Sequence, residues 1–448
     1  MQAMLASRQR GLLAPLLCVL LALQGGEGFS LGLPGAGLRT GRAWPAHTGR
    51  SPTPAASAPP RSSPLLAPRP AIRGAAGLGG LRMAGNLPSD PPGPRGAITH
   101  AARVTVMGGG NFGLCLATVL ASNKIPVTIL VRRQEVADIL NKEHKHPNYL
   151  NGMELPKLIY ATADGSEAFL DATYILHAVP TQYSREFLRN VAEHIPPTTS
   201  IICVSKGIES GTLSLMKDIL VEETGTMREL AFLSGPSFAK EIAAGLATAV
   251  TVASASERLC DETVELFANS NFKVFTSSDV MGVEIGGAVK NVIAIAAGMC
   301  EGLGLGTNAM SALVTRGCLE MTMVAKAVGG KRSTLMGLSG VGDTFGTCFG
   351  PLSRNRQLGY RLGKGEKLDD ILGGSTEVAE GYATSLSLVD YIDNKLPDSF
   401  RKDLKFPILY GVAGILKGEI TPQDGMEALM VLPIRSEVFD ADMWPAET

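Results

Sequence analysis

The sequence predicts an α/β protein in which an N-terminal doubly wound sheet is followed by an all-helical C-terminal domain, and three features predict it. From Arg103 the run RVTVMGGGNFGLCLATVLASNKIPVTILVRR reads as a buried strand, a glycine turn, a helix and a second strand at Val127 to Val131. Two further apolar strand runs, Tyr174 to Val179 and Ser200 to Val204, are separated by helical patterns, as in a parallel sheet with crossover helices. From about Asp279 the alternating patterns stop and helical periodicity takes over. The expected organisation is a leader over residues 1–100, a dinucleotide-binding domain over 101–278 and a helical domain over 279–448.

The leader is set apart by composition. Of 27 prolines in 448 residues, fourteen lie in the first hundred, together with ten arginines, no lysine and only two acids, Glu27 and Asp90. Such a bias forms no packed core and has the character of a targeting segment. Gly11 to Gln24 is an apolar stretch of signal-peptide length behind Arg8 and Arg10, too short for a comfortable bilayer span. Small residues follow at Gly25, Gly26 and Gly28, and Phe29-Ser30 then opens an Arg-, Ser-, Ala- and Pro-rich tract of transit-peptide composition. A signal sequence followed by a transit sequence resembles the bipartite presequence that directs proteins into plastids of secondary origin. Plain secretion is the alternative, and the apolar core ahead of the basic tract weighs against a mitochondrial address.

Without the first hundred residues the chain is acidic, with a net charge of −9. No nucleic-acid or anionic-membrane surface is expected of the mature protein, so a cationic site in it must be local. Beyond Cys18 the six cysteines are isolated and mostly in apolar surroundings, which fits reduced, buried thiols better than a disulfide framework or a zinc site.

Gly108, Gly110 and Gly113 have the G-x-G-x-x-G spacing between a strand and a helix, the context required for dinucleotide binding in a Rossmann-type sheet. The first glycine permits the tight turn, the second a close backbone approach to pyrophosphate, and the third close helix packing. At the end of the second strand, where an acid usually holds a ribose hydroxyl, stands Arg132-Arg133. Paired guanidinium groups suit a 2′-phosphate, so NADP(H) is an option beside NAD(H); two solvated arginines are the other reading. The loops AVPTQY, with Tyr183, and SKGIE, with Lys206, follow strand C-termini where ligands bind in such sheets. A surface-loop lysine is the alternative for Lys206.

The second domain reads as helices over Ala309 to Ala327, Asn355 to Leu362, Ala383 to Asp393 and Pro407 to Lys417, after a buried helix from Gly282 to Met299. Lys290-Asn291 sits in the middle of that small, apolar run. Losing its water is expensive for an ammonium, so either chemistry retains it or it snorkels from a helix edge.

In order and spacing, VMGGGNFG, HAVPTQY, VSKGIE, LSGPSFAKEIAAG, GVEIGGAVKNVIAIAAGM, GVGDTFGTCFGPLSRNRQLG and STEVAEGY resemble the soluble NAD(P)-dependent glycerol-3-phosphate dehydrogenases, nearer the bacterial and plastid branch than the animal one. The resemblance runs from about Arg103 to Arg435. It implies reversible hydride transfer between NAD(P)H and dihydroxyacetone phosphate giving sn-glycerol 3-phosphate, in support of glycerolipid synthesis, by a homodimer. It implies that Lys290 exchanges the proton, that Lys206 lies between substrate and nicotinamide, and that Asp343 pairs with the active-site lysine. Thr347 and Asn291 match hydrogen-bonding positions, and Ser353, Arg354 and Asn355 match the tripeptide that grips substrate phosphate and cofactor. Gly235, Ser237, Ala239, Val378 and Glu380 match further substrate and cofactor contacts, and Asn111-Phe112 lie within the glycine turn. Departures are Gly109 where alanine is usual, Asn111-Phe112, and Leu114-Cys115; they leave cofactor fine-tuning and thiol reactivity at Cys115 open, not the reaction. On their own, Asp343 in its glycine-rich loop also reads as a turn or N-cap residue, and Arg354 as a helix-face residue. Two other functions stay open at this point: a related hydroxyacid dehydrogenase with a carboxylate substrate, and a non-catalytic nucleotide sensor.

Overall fold

A computed structural model describes residues 102–374, 379–397 and 401–432. The leader and Val378 lie outside the described residues.

Strand β1 (Val104–Met107) is buried along its whole length, as its Val and Met content demands of a central parallel strand. Helix α1 (Asn111–Ser122) returns the chain to β2 (Val127–Leu130), and α2 (Gln134–Glu143) leads to the edge strand β3 (Ile159–Thr162). The chain then crosses by α3 (Gly165–Phe169) to β4 (Tyr174–His177), α4 (Thr181–Val191), β5 (Ser200–Cys203), α5 (Met216–Thr224) and β6 (Leu230–Ser234). After α6 (Ala239–Ala243) come β7 (Thr248–Ser254), α7 (Glu257–Phe267) and β8 (Phe272–Ser277). The sheet order is β3-β2-β1-β4-β5-β6-β7-β8. The expected doubly wound parallel sheet is present from β3 to β6, but β7 runs antiparallel to β6 and β8 parallel to β7. Only the short α6 lies between β6 and β7, so the chain reverses there instead of crossing back.

Helix α8 (Val280–Gly302) buries nineteen of its twenty-three residues and is the axis of the helical domain. Asp279 caps it, accepting from Gly282 N at 2.9 Å and, through its other oxygen, from Lys331 N at 2.8 Å. Its length and hydropathy would suffice to cross a membrane, yet it is enclosed by α9 (Gly306–Ala327) and the other helices of the domain core. The short α10 (Arg332–Leu335) leads into a π-helical turn, Leu338–Gly342, followed by α11 (Asp343–Phe349), α12 (Arg354–Gly363) and α13 (Leu368–Gly373). The GVGD segment is therefore helical, not a loop, and Asp343 is the first residue of α11, whose N-cap is Gly342. Gly286 permits this: a methyl group on it would stand 2.7 Å from the Ser339 carbonyl oxygen. The domain continues through α14 (Glu380–Lys395), α15 (Lys402–Lys405), α16 (Pro407–Leu416) and α17 (Pro422–Met430).

Helices α8 and α12 touch backbone to backbone. A methyl on Gly359 would lie 1.9 Å from the Ile295 carbonyl oxygen, and one on Gly298 would lie 2.0 Å from that of Arg356. This contact brings the first turn of α12 to Asn291.

Candidate active site

The glycine turn has the geometry its spacing requires. Gly108 has φ +106°, and a methyl on Gly113 would fall 2.2 Å from the Gly108 carbonyl oxygen. Nothing lies within 4 Å of where a Gly110 side chain would begin, so the N-terminus of α1 presents an open backbone face that suits a dinucleotide pyrophosphate. Gly109 is explained by its neighbour: an alanine methyl there would sit 2.8 Å from Val131 Cγ1. Phe112 packs on the apolar core beside this turn, and Asn111 Oδ1 accepts from Leu150 N at 3.0 Å. Arg132 and Arg133 are exposed at the end of β2, Arg133 as the residue before α2. Tyr183 is exposed on the first turn of α4, and Ala239 opens α6. Cys115 is fully buried, its thiol donating to the Phe112 carbonyl, and burial pushes its ionisation far above the usual thiol range. So placed, the thiol is kept protonated, which weighs against the reactivity left open by the sequence.

Lys206, on the loop after β5, and Lys290, in the middle of α8, meet on one carboxylate. Lys206 Nζ donates to Asp343 Oδ2 at 2.7 Å and Lys290 Nζ to Asp343 Oδ1 at 2.7 Å. Lys290 also donates to Thr347 Oγ1 at 3.1 Å, while that hydroxyl donates to the Asp343 carbonyl one turn back at 2.6 Å. The Lys206 stem runs over Gly287, where a methyl would stand 3.2 Å from its Cγ. Lys290 is only 8% exposed and Asp343 3%, so Lys290 does not snorkel to solvent. Burial lowers its pKa to about 8; the Lys206 charge pushes the same way, and Asp343 resists the fall. Burial works to raise the Asp343 carboxyl, but the two ammonium groups outweigh it and hold it below its ordinary value. Two cations share one anion here, which leaves a local positive charge in an acidic protein.

The second part of the site is the start of α12. Ser353 Oγ caps it, accepting from Arg356 N at 3.2 Å. Arg354 is its exposed first residue, and Asn355 is buried in the same turn. Asn355 Nδ2 donates to Asn291 Oδ1 at 2.9 Å and Asn355 Oδ1 accepts from Gly381 N at 3.0 Å, tying α8, α12 and α14 together. The Glu380 carboxyl is raised by burial, against the opposing charges of Arg354, Lys206 and Lys290 in that order. In the β6–α6 turn Ser237 Oγ donates to the Gly235 carbonyl at 2.8 Å.

The structure thus joins Lys206, Lys290, Asp343 and Thr347 in one hydrogen-bonded group and links Asn291 to Asn355. The sharing of Asp343 between both lysines was not foreseen. Nor was Gln182, whose side chain donates to the Ile208 carbonyl at 2.8 Å and accepts from Ser210 N at 2.9 Å. Its position inside AVPTQY, next to Tyr183, was the available signal. Among the described residues no group of His, Cys, Asp or Glu could hold a metal ion.

The chain is similar to known proteins in sequence and fold. Residues 103–260 match the family described as NAD-dependent glycerol-3-phosphate dehydrogenase N-terminus, and residues 279–427 match its C-terminus. The chain is 43% identical over 344 residues to the chloroplastic NAD(+) glycerol-3-phosphate dehydrogenase 2 of Arabidopsis thaliana, covering 76% of this chain and 80% of the relative. It is 39% identical over 336 residues to the NAD(P)+ glycerol-3-phosphate dehydrogenase of Nitratidesulfovibrio vulgaris, covering 75% of this chain and all of the relative. The crystal structure of glycerol-3-phosphate dehydrogenase from Coxiella burnetii superposes with a TM-score of 0.69 at 31% identity, over 74% of this chain and 99% of that one. Two matched halves in order, the first holding the glycine turn and Lys206 and the second Lys290, make this chain a member of the NAD-dependent glycerol-3-phosphate dehydrogenase family.

Proposed function

We propose that the protein reduces dihydroxyacetone phosphate to sn-glycerol 3-phosphate with NADH or NADPH, reversibly, and that Lys290 is its proton donor. The observation that carries the reading is the Asp343 carboxylate held at 2.7 Å by both Lys206 and Lys290. The reduced nicotinamide supplies the hydride to the carbonyl carbon. As charge gathers on the ketone oxygen, the Lys290 ammonium passes it a proton and Lys206 adds a second positive charge. A pKa of about 8 suits this exchange near neutral pH, whereas arginine would hold its proton too tightly. Asp343 keeps both ammonium groups in place, and Thr347 fixes the direction of Lys290.

Arg354, Asn355 and Ser353 are assigned to the substrate phosphate. A guanidinium fork at a helix N-terminus favours that dianion over a neutral group. Asn291, Gly235 and Ser237 complete the substrate contacts. Gly108, Gly110, Asn111, Phe112, Gly113, Tyr183, Ala239, Glu380 and Val378 are assigned to the dinucleotide, with Arg132 and Arg133 near its adenosine end. On this reading residues 101–278 hold the dinucleotide and 279–448 the substrate, and the working form is a homodimer. The leader over 1–100 directs the protein to a plastid, a reading supported by its two-part composition and by the chloroplastic name of the Arabidopsis relative.

The test is a steady-state assay of the leaderless protein with dihydroxyacetone phosphate, each cofactor in turn, against 2- and 3-hydroxyacids and their keto forms. Turnover of the phosphate is expected. Turnover of carboxylates only would assign the site to a hydroxyacid dehydrogenase, and binding of dinucleotide without any turnover to a nucleotide sensor.

A further inference from the structure

We propose that Gln182 is a positioning residue that acts through Lys206, a deepening of the catalytic reading above. Lys206 is carried by a loop, Val204 to Leu215, and a lysine reaches its target through four rotatable bonds. Its Nζ stays 2.7 Å from Asp343 Oδ2 only if the loop backbone beneath it is held.

Gln182 supplies that hold. Its amide uses both ends on the loop, donating from Nε2 to the Ile208 carbonyl at 2.8 Å and accepting at Oε1 from Ser210 N at 2.9 Å. The two bonds fall on either side of Glu209, as though an extra peptide unit had been laid against the chain. One turn further along α4, Arg185 clasps the Glu209 side chain itself through Nε at 2.9 Å and Nη2 at 2.8 Å. The opposite side of the loop faces α14, with Ser210 Oγ 3.1 Å from Ser387 Oγ. Gly207, directly after the lysine, is wedged between the two helices at φ +151°: a methyl on it would be 3.2 Å from Thr181 Oγ1 and 3.0 Å from Thr384 Oγ1. The loop is thus pinned on both sides within four residues of Lys206. Of these hydrogen bonds on the C-terminal side of the lysine, those of Gln182 hold the main chain itself, and they do so without a charge.

The experiment is a double-mutant cycle on the leaderless enzyme with Gln182→Leu, Lys206→Ala and the pair, read as kcat per folded active site, with NADH affinity and melting temperature measured in parallel. Gln182→Leu is expected to lower kcat by about tenfold or more with NADH affinity within about twofold. In the Lys206→Ala background it should have no further effect. Because the Lys206 charge depresses Lys290, the alkaline limb of the pH profile should also move upward in both single variants. Gln182→Glu, equal in size, keeps the Ser210 contact and loses the Ile208 donor. It should lower kcat as well, which secures the test if the leucine variant does not fold. Unchanged kcat in a folded variant, or losses that multiply in the double variant, would overturn the inference. An innocuous Lys206→Ala would instead overturn the catalytic reading of Lys206 on which it rests.

Discussion

The Lys290 ammonium and the Asp343 carboxylate meet at 2.7 Å between α8 and α11, both all but removed from solvent. A buried pair of this kind is a poor source of stability, since desolvation offsets most of its attraction. Here the carboxylate also serves Lys206, so removing one lysine leaves Asp343 with a counter-charge.

Lys290→Met is therefore expected to fold and to bind NAD(P)H with near-normal affinity. Proton donation and charge stabilisation vanish together, so turnover should fall by about a thousandfold or more. Steady-state kinetics alongside a fluorescence titration with NADH checks both halves, and turnover within tenfold of the parent would remove Lys290 from the chemistry.

The pH dependence follows from the lysine's burial. With Lys290 as the proposed proton donor, ketone reduction needs it protonated, so kcat/KM in that direction should be flat below about 8 and fall by about tenfold per pH unit above it. Oxidation of glycerol 3-phosphate needs the neutral amine, so its profile should rise towards the same pH and then level. Profiles in both directions test this, and a shared limb near 10.5, the ordinary lysine value, would contradict it.

Arg354→Lys exchanges a planar fork for a point charge at the start of α12. The KM for dihydroxyacetone phosphate should rise by about tenfold while kcat changes much less, because bidentate phosphate binding is lost and the proton donor is untouched. An unchanged KM would take Arg354 out of the phosphate site.

The strand–glycine–helix unit was legible because its requirements are local: a tight turn, a close approach and an apolar strand each demand particular residues within a dozen positions. The helical domain was legible from periodicity, though its helices begin up to three residues earlier than the pattern suggests, at Gly306 and Glu380, where glycine and acid side chains dilute the apolar signal. Strand β7 was not read from the sequence, and its direction was hidden besides, because a strand's own composition does not state how the chain arrives at it. GVGD read as a loop because glycines usually break helices. Here Gly340 lets the π-helical turn close on α10, where a methyl would stand 2.0 Å from the Leu335 carbonyl oxygen, and Gly286 on α8 makes room for the Ser339 carbonyl. Gln182 escaped because its partners are backbone atoms, which any sequence supplies. The pairing of Lys206 with Asp343 joins positions 137 apart, and no spacing rule connects them.

The same distance problem conceals the contact between α8 and α12, and it gives the last prediction. Gly298 and Gly302 on one helix, and Gly359 and Gly363 on the other, repeat every four residues and so line one face of each. Backbones can then meet where side chains would hold them apart. In Gly359→Ala the added methyl would lie 1.9 Å from the Ile295 carbonyl oxygen, a position no rotamer change relieves because both atoms are fixed to main chain. The helices must separate, and the fold should lose about 1–3 kcal/mol, as overpacked cores do. Because α12 carries Arg354 and Asn355 at its first turn, separation should also stretch the 2.9 Å bond from Asn355 to Asn291. Chemical denaturation and substrate KM should therefore move together, with affinity for NADH, held by the sheet domain, nearly unchanged. A variant that loses stability with an unaltered KM would mean that the crossing sets the fold of the domain but not the position of the turn proposed to bind phosphate.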